Sequence, residues 1–209
     1  SAAMECWERL LAKQGDHAEA LSILAPYYES QGRWTDFVEV LEAKLEPGND
    51  TYASDLVTLS QVYAEHLKDA AKAFERGLVA LSTVPTRIDL LQPTFAHARD
   101  ADRLEEFFEE CTYLVDLVSD EQLAYLRIIA EVGAKHLGRL EDSLGYYERI
   151  LELDPADVSA VNELCAIYEK LGRWDELQRA YERALEFVTG SAREAELLAS
   201  LAHLSANVL

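Results

Sequence analysis

Two stretches of the chain, Tyr-Glu-Ser-Gln-Gly-Arg-Trp at 28–34 and Tyr-Glu-Lys-Leu-Gly-Arg-Trp at 168–174, are nearly the same phrase. They stand 140 residues apart, four intervals of 35. Such a pair constrains the fold only if something periodic fills the interval. The apolar spacing supplies it. Amphipathic stretches of helical period are separated by short breaks at Gly15, Gly32, Pro47-Gly48, Pro85, Gly138, Asp154-Pro155, Gly172 and Gly190. They predict helices near 2–14, 16–31, 33–46, 51–66, 69–83, 87–99, 101–117, 120–136, 139–153, 157–171, 173–188 and 191–207. Connections this short join neighbours as antiparallel hairpins.

Pairing the helices exposes the period. Each second helix carries a ladder in steps of 4, 3 and 5: Phe37, Leu41, Lys44, Asn49; Ala73, Gly77, Ala80, Pro85; Phe107, Cys111, Leu114, Ser119; Ser143, Tyr147, Ile150, Pro155; and Leu177, Tyr181, Ala184, Thr189. The first three of each set share a helix face, and the last marks the closing turn. First helices carry Leu24, Ala25, Tyr28; Leu59, Ser60, Tyr63; Thr94, Phe95, Ala98; Ala130, Glu131, Ala134; and Leu164, Cys165, Tyr168, whose third members advance by 35, 35, 36 and 34 residues. The two heptapeptides are thus the same turn in the first and last of five units. Small residues such as Ala73, Ala80, Ser143 and Ala184 should let helices approach, with Tyr147 and Tyr181 filling the gap to the next unit. Trp34 and Trp174 open their second helices and should wedge against the preceding first helix. Pro26 and Pro93 fall inside first helices, where a kink or a helix start is expected.

This pattern resembles the tetratricopeptide repeat, a helix–turn–helix unit of ~34 residues. The stretch 163–187 matches best, with Leu164, Cys165, Tyr168, Gly172, Trp174, Leu177, Tyr181 and Ala184 at the family's spacings. Residues 138–155 match nearly as well and supply the closing Asp-Pro, while 59–85 fit with one extra residue in the turn. The resemblance implies an all-α, right-handed α-solenoid of about five hairpins forming one domain over 1–209. Its repeats would occupy 18–49, 54–85, 88–119, 124–155 and 158–189. A leading helix at 2–14 would be the second helix of an earlier unit, and 191–207 a cap or a cut-off repeat. The chain reads as a fragment of a longer protein opening on an expression remnant, Ser-Ala-Ala-Met.

Composition narrows the function. A formal net charge of −20 speaks against direct nucleic-acid binding, which needs cations to neutralise phosphates, and against docking on anionic lipid. No apolar run is long enough to span a bilayer. Three cysteines without a Cys-x-x-Cys pair suggest a reducing, cytoplasmic setting. The five histidines are scattered, and no phosphate-binding glycine loop or nucleophile–base pair is visible. No catalytic, metal or cofactor site is expected.

In the resembled family the concave groove is lined mainly by first helices and holds a peptide or helix of a partner protein. Counting one face along each first helix gives Asp55; Asp89, Gln92, Arg99; Tyr125, Ile128, Lys135; and Ser159, Asn162, Lys170 as its candidate lining, acidic toward the N-terminus and carrying some positive charge toward the C-terminus. The clamp that grips terminal carboxylates is not expected, since Ser22 and Pro26 stand where its Lys and Asn would fall. A second candidate surface for a basic partner is the acidic run with Glu105, Glu106, Glu109 and Glu110. The structural set is Tyr28, Gly32, Trp34, Tyr63, Ala73, Tyr147, Pro155, Tyr168, Gly172, Trp174, Tyr181 and Ala184. The resulting reading is a protein-binding scaffold without chemistry. The alternatives are a solenoid that self-assembles through its terminal helices, or a related repeat scaffold in an RNA-processing complex.

Overall fold

The computed structural model of the chain describes residues 2–187 and 192–207. Among these the chain is entirely helical. The helices are α1 (Ala2–Leu11), α2 (Ala18–Ser30), α3 (Trp34–Lys44), α4 (Tyr52–Val62), α5 (Ala70–Thr83), α6 (Leu91–Asp100), α7 (Leu104–Leu114), α8 (Gln122–Glu131), α9 (Leu140–Leu153), α10 (Val158–Leu171), α11 (Trp174–Leu185) and α12 (Ala192–Asn207). They group into two compact units, Ser1–Phe107 and Phe108–Leu209, whose boundary falls inside α7. The predicted closing positions Thr189 and Gly190 lie outside the described residues. Of the two prolines, Pro93 sits in the opening turn of α6, while α2 runs through Pro26 without a break.

Each hairpin turns on one residue in the left-handed region: Gly32, Lys68, Asp102, Gly138 and Gly172. The N–H of the following residue then reaches back into the first helix. Arg33 donates to the Tyr28 carbonyl (2.9 Å), Asp69 to Tyr63 (2.9 Å), Arg103 to Ala98 (2.8 Å), Arg139 to Gly133 (2.8 Å) and Arg173 to Tyr168 (2.9 Å). These bonds satisfy carbonyls that the helix end leaves without a partner. The acceptors stand 35 residues apart at every step, which corrects the phase of the fourth unit. Its first-helix set is Ile129, Ala130 and Gly133, not Ala130, Glu131 and Ala134. Ile129 and Ala130 are fully buried, whereas Glu131 is exposed. The misreading has a physical origin: the second and fourth turns contain one residue more, wound into the π-helical segments Tyr63–Leu67 and Val132–Leu137.

The core of the first unit gathers Leu24, Leu41, Leu59 and Ala73, with Trp7 and Trp34 packed against it. Phe74 is fully buried, and the Arg103 guanidinium lies 4.8 Å from its ring centre. Trp34 does not wedge against the preceding helix alone. Its indole stacks on His66 in the turn of the next hairpin, with ring centres 3.7 Å apart and planes 6° from parallel. The second unit is built around Cys111, Leu114, Tyr125, Ile129 and Ile150, all essentially buried.

A tyrosine on a first helix reaches the preceding second helix three times. Tyr28 donates to Glu8 (3.1 Å) and Tyr63 to Glu42 (3.2 Å) in the first unit, and Tyr168 donates to Glu148 (2.7 Å) in the second. Burial, and then the neighbouring carboxylate, push the Tyr28 and Tyr63 phenols up to about 12. Through Glu8, α1 stands to α2 as α3 stands to α4.

Candidate functional site

In the second unit, α8 and α10 run as neighbours over α9, and a cavity of about 300 Å³ opens between them. Its floor is Tyr147 and Ile150 of α9 with Ala160; its walls are Arg127, Glu131 and Lys135 on one side and Asp157, Ser159 and Glu163 on the other. Two ion pairs span it. Arg127 donates to Asp157 (2.7 Å), and the Lys135 ammonium lies 2.8 Å from Glu163.

Asp157 fixes this geometry. It is the N-cap of α10, where its carboxylate accepts the Ala160 N–H at 3.0 Å and leaves its other oxygen to Arg127. Burial works against its charge, but the Ala160 N–H and the Arg127 guanidinium outweigh burial and hold the carboxyl below its usual range. Lys135 is shifted the other way: the bond to Glu163 raises it. The Tyr147 phenol in the floor is pushed up by burial and then by the carboxylates of Glu163, Glu131 and Asp157. It is therefore a neutral donor at physiological pH.

A depressed carboxyl stabilises the fold above its unfolded value, ~3.9, and loses that contribution as pH falls through the folded value. Asp157→Ala is thus expected to cost about 1 kcal/mol at neutral pH. Urea melts stepped downward in pH should show wild type and variant converging in acid. A difference that persisted unchanged in acid would mean the carboxylate was not its source.

The structure distributes the sequence-predicted residues unevenly. Lys135 and Ser159 line the cavity, while Asn162 and Lys170 are exposed on α10. Tyr125 and Ile128 are buried, 0% and 4% exposed, and present no surface to a ligand. In the first unit Asp55 is held by the Thr51 hydroxyl (2.8 Å) and Lys44 (3.4 Å). Asp89 is clasped by Arg87, and Arg99 pairs with Asp100, while Gln92 is exposed on α6. Along α7, Glu105, Glu106 and Glu109 are exposed and Glu110 is half-buried, with Glu106 bound by Arg103. Of the predicted cations of the C-terminal half, Lys135 is paired with Glu163, while Lys170 is exposed to solvent. Arg127, beside Lys135 on the same wall, is paired with Asp157. Reading one helix face missed Arg127, Glu131, Asp157 and Glu163. The Asp-Pro-Ala-Asp run before α10 was the one available signal, since it marks an N-cap.

Among the described residues, no group of three or more His, Cys, Asp or Glu side chains gathers as a metal set. No helix among them is long and apolar enough to cross a membrane.

Residues 163–189 match the family model of the tetratricopeptide repeat. A comparison with curated protein sequences found no match. Among solved structures, a tetratricopeptide repeat protein from Parabacteroides merdae superposes with a TM-score of 0.50 at 18% identity, over 90% of this chain and 73% of that one. The MamA protein gives 0.51 at 14% identity, over 82% and 92%. YrrB, described as a TPR protein with an unusual peptide-binding site, gives 0.51 at 14% identity, over 95% and 100%. The chain thus carries one stretch that matches the tetratricopeptide repeat, and its fold is that of tetratricopeptide-repeat proteins.

Proposed function

We propose that the chain is a protein-binding scaffold that holds a partner's peptide or helix across α8 and α10. The observation that carries this reading is the cavity of about 300 Å³ whose polar walls are set by the Arg127–Asp157 and Lys135–Glu163 pairs. Pre-formed walls lower the ordering cost of binding. The peptide-binding site named for YrrB supports the choice of ligand class. Glu131, Asp157 and Glu163 outnumber Arg127 and Lys135 in the lining, and the chain carries a net charge of −20, so the favoured segment carries Lys or Arg.

Phage-displayed peptides selected on the immobilised 209-residue chain supply the probe. The strongest binder is then titrated by calorimetry against wild type and Ser159→Trp, which fills the cavity from its α10 wall. A loss of about 10-fold or more in affinity is expected. Equal affinity for the variant would place binding elsewhere, and binders devoid of Lys and Arg would remove the charge argument.

A second reading, self-association, is favoured by the apolar surface near α12. Val158, Phe187 and Leu198 are exposed there, and the first two lie beside Leu197. Light scattering over a range of concentrations separates the readings: a mass that stays near 23.5 kDa speaks for the monomeric scaffold, and a rising mass for self-association.

A further inference from the structure

The second helices carry one further repeated position, three residues beyond Phe37, Ala73, Phe107, Ser143 and Leu177. It is occupied by Val40, Arg76, Glu110, Tyr146 and Ala180. Where its contacts are resolved within one unit, this side chain reaches across to the preceding second helix. Arg76 of α5 donates to Glu42 of α3 at 2.7 Å. Tyr146 of α9 sets its ring edge-on to Phe108 of α7, with centres 6.1 Å apart, and its hydroxyl stands 3.5 Å from the Thr112 hydroxyl. The position acts as a plug in the cleft between consecutive second helices.

Ala180 of α11 is too short to do this. The cleft between α9 and α11 holds an open volume of about 280 Å³ over Leu151, Val161 and Leu164. The corresponding cleft that Val40 lines in the first unit holds about 130 Å³. Free volume is larger where the plug is smaller. Close packing elsewhere makes an unfilled cleft of this size, apolar in its floor and charged at its rim, a place for something to enter.

We propose that the α9–α11 cleft is a socket for an unphosphorylated tyrosine side chain presented by a partner protein. The internal occupant of the neighbouring cleft is a tyrosine, which gives the shape. The chemistry at the mouth differs in one informative way. The residue in the place of Thr112 is Glu148, five residues beyond Ser143. Glu148 accepts the Tyr168 hydroxyl at 2.7 Å, and a carboxylate has capacity for a second donor. A phenol entering the socket would donate to it. Glu148, Glu152 and Glu176 outnumber Arg179 and Arg183 around the cleft, which disfavours a phosphate. Each of these arginines gives one N–H to a backbone carbonyl, Arg179 to Asp175 (3.2 Å) and Arg183 to Leu151 (3.4 Å). This inference does not rest on the α8–α10 groove, and its test does not involve that surface.

The test is an amide-resolved NMR titration of the full chain with N-acetyl-tyrosinamide, N-acetyl-phenylalaninamide and the phosphotyrosine analogue. Saturable shifts are expected at Leu151, Val161, Leu164 and Ala180, with a dissociation constant on the order of 1–10 mM for so small a probe. Loss of the hydroxyl should weaken binding about 5-fold, and the phosphorylated probe should leave these residues unmoved. Ala180→Tyr places the plug in cis and should abolish the shifts. Ala180→Val, which reproduces Val40, should diminish them and serves in its place if the tyrosine variant does not fold. The proposal is overturned by an absence of saturable shifts at these four residues, by shifts that survive in folded Ala180→Tyr or stay undiminished in Ala180→Val, or by equal binding of the phosphorylated probe.

Discussion

Phe74→Ala is expected to cost about 3–5 kcal/mol in urea denaturation. The ring is fully buried in the first unit, and truncation removes its transfer free energy and leaves a hole that surrounding helices fill only in part. It also removes the ring face on which the Arg103 guanidinium rests at 4.8 Å. Arg103 would keep its ion pairs to Glu75 and Glu106, so the loss falls mainly on packing. A domain of this size is stable by only ~5–15 kcal/mol, which makes the change a large share of the whole. Phe74→Leu should recover most of it. A cost below about 1 kcal/mol for the alanine variant would show that α5 relaxes into the space, and that the burial of Phe74 is not what holds the hairpin.

Gly133→Leu is the second change with a large expected effect, and here the damage comes from too much volume. A Cβ at this position would stand 2.6 Å from the Ser143 Oγ and 3.0 Å from the Phe108 ring. Rotating Ser143 away would break the bond its buried hydroxyl donates to the Arg139 carbonyl at 2.8 Å. Overpacking of this kind costs about 1–3 kcal/mol even for a methyl, and the leucine should lie at or beyond the upper end. For Gly133→Ala two effects compete, since alanine is the better helix former by ~1 kcal/mol. The short contacts should win and leave a net loss. Gly145 supplies the control: a Cβ there meets nothing within 4 Å, so Gly145→Ala should gain about 0.5–1 kcal/mol. Pairing Gly133→Ala with Ser143→Ala should recover part of the loss as a coupling free energy. If Gly133→Ala were as stabilising as Gly145→Ala, the close approach of the segment Val132–Leu137 to Ser143 and Phe108 would not be the reason for glycine.

The hairpin count was legible in the sequence because its turns are written in glycine at Gly32, Gly138 and Gly172, where a left-handed residue must close the helix. The same conformation at Lys68 and Asp102 carries no such mark. Those two turns are visible only through their neighbours. The fourth unit was misphased by one residue because a π-helical turn hides its extra residue inside the helix end, where spacing alone cannot assign it. The candidate site was less legible for a different reason. A helix packed on more than one side buries more than one stripe, so counting a single face of α8 selected Tyr125 and Ile128, which belong to the core. The walls of the cavity are defined by ion pairs between residues about 30 positions apart, such as Arg127 with Asp157 and Lys135 with Glu163. Nothing in the local pattern of either helix announces the pairing.

The alternation of ordinary and π-helical turns has a consequence for how such a chain can be lengthened or recombined. Carbonyls closing the first helices recur every 35 residues, but the second-helix positions Phe37, Ala73, Phe107, Ser143 and Leu177 recur in steps of 36, 34, 36 and 34. A crossover of 35 residues taken inside a second helix would therefore join it one residue out of step, a rotation of ~100° that turns a buried rung toward water. The same crossover taken inside a first helix keeps every position in step, because each downstream turn travels with its own second helix. A crossover of 70 residues keeps step at either place, so exchange by single hairpins is confined to the first helices, while exchange by pairs is not.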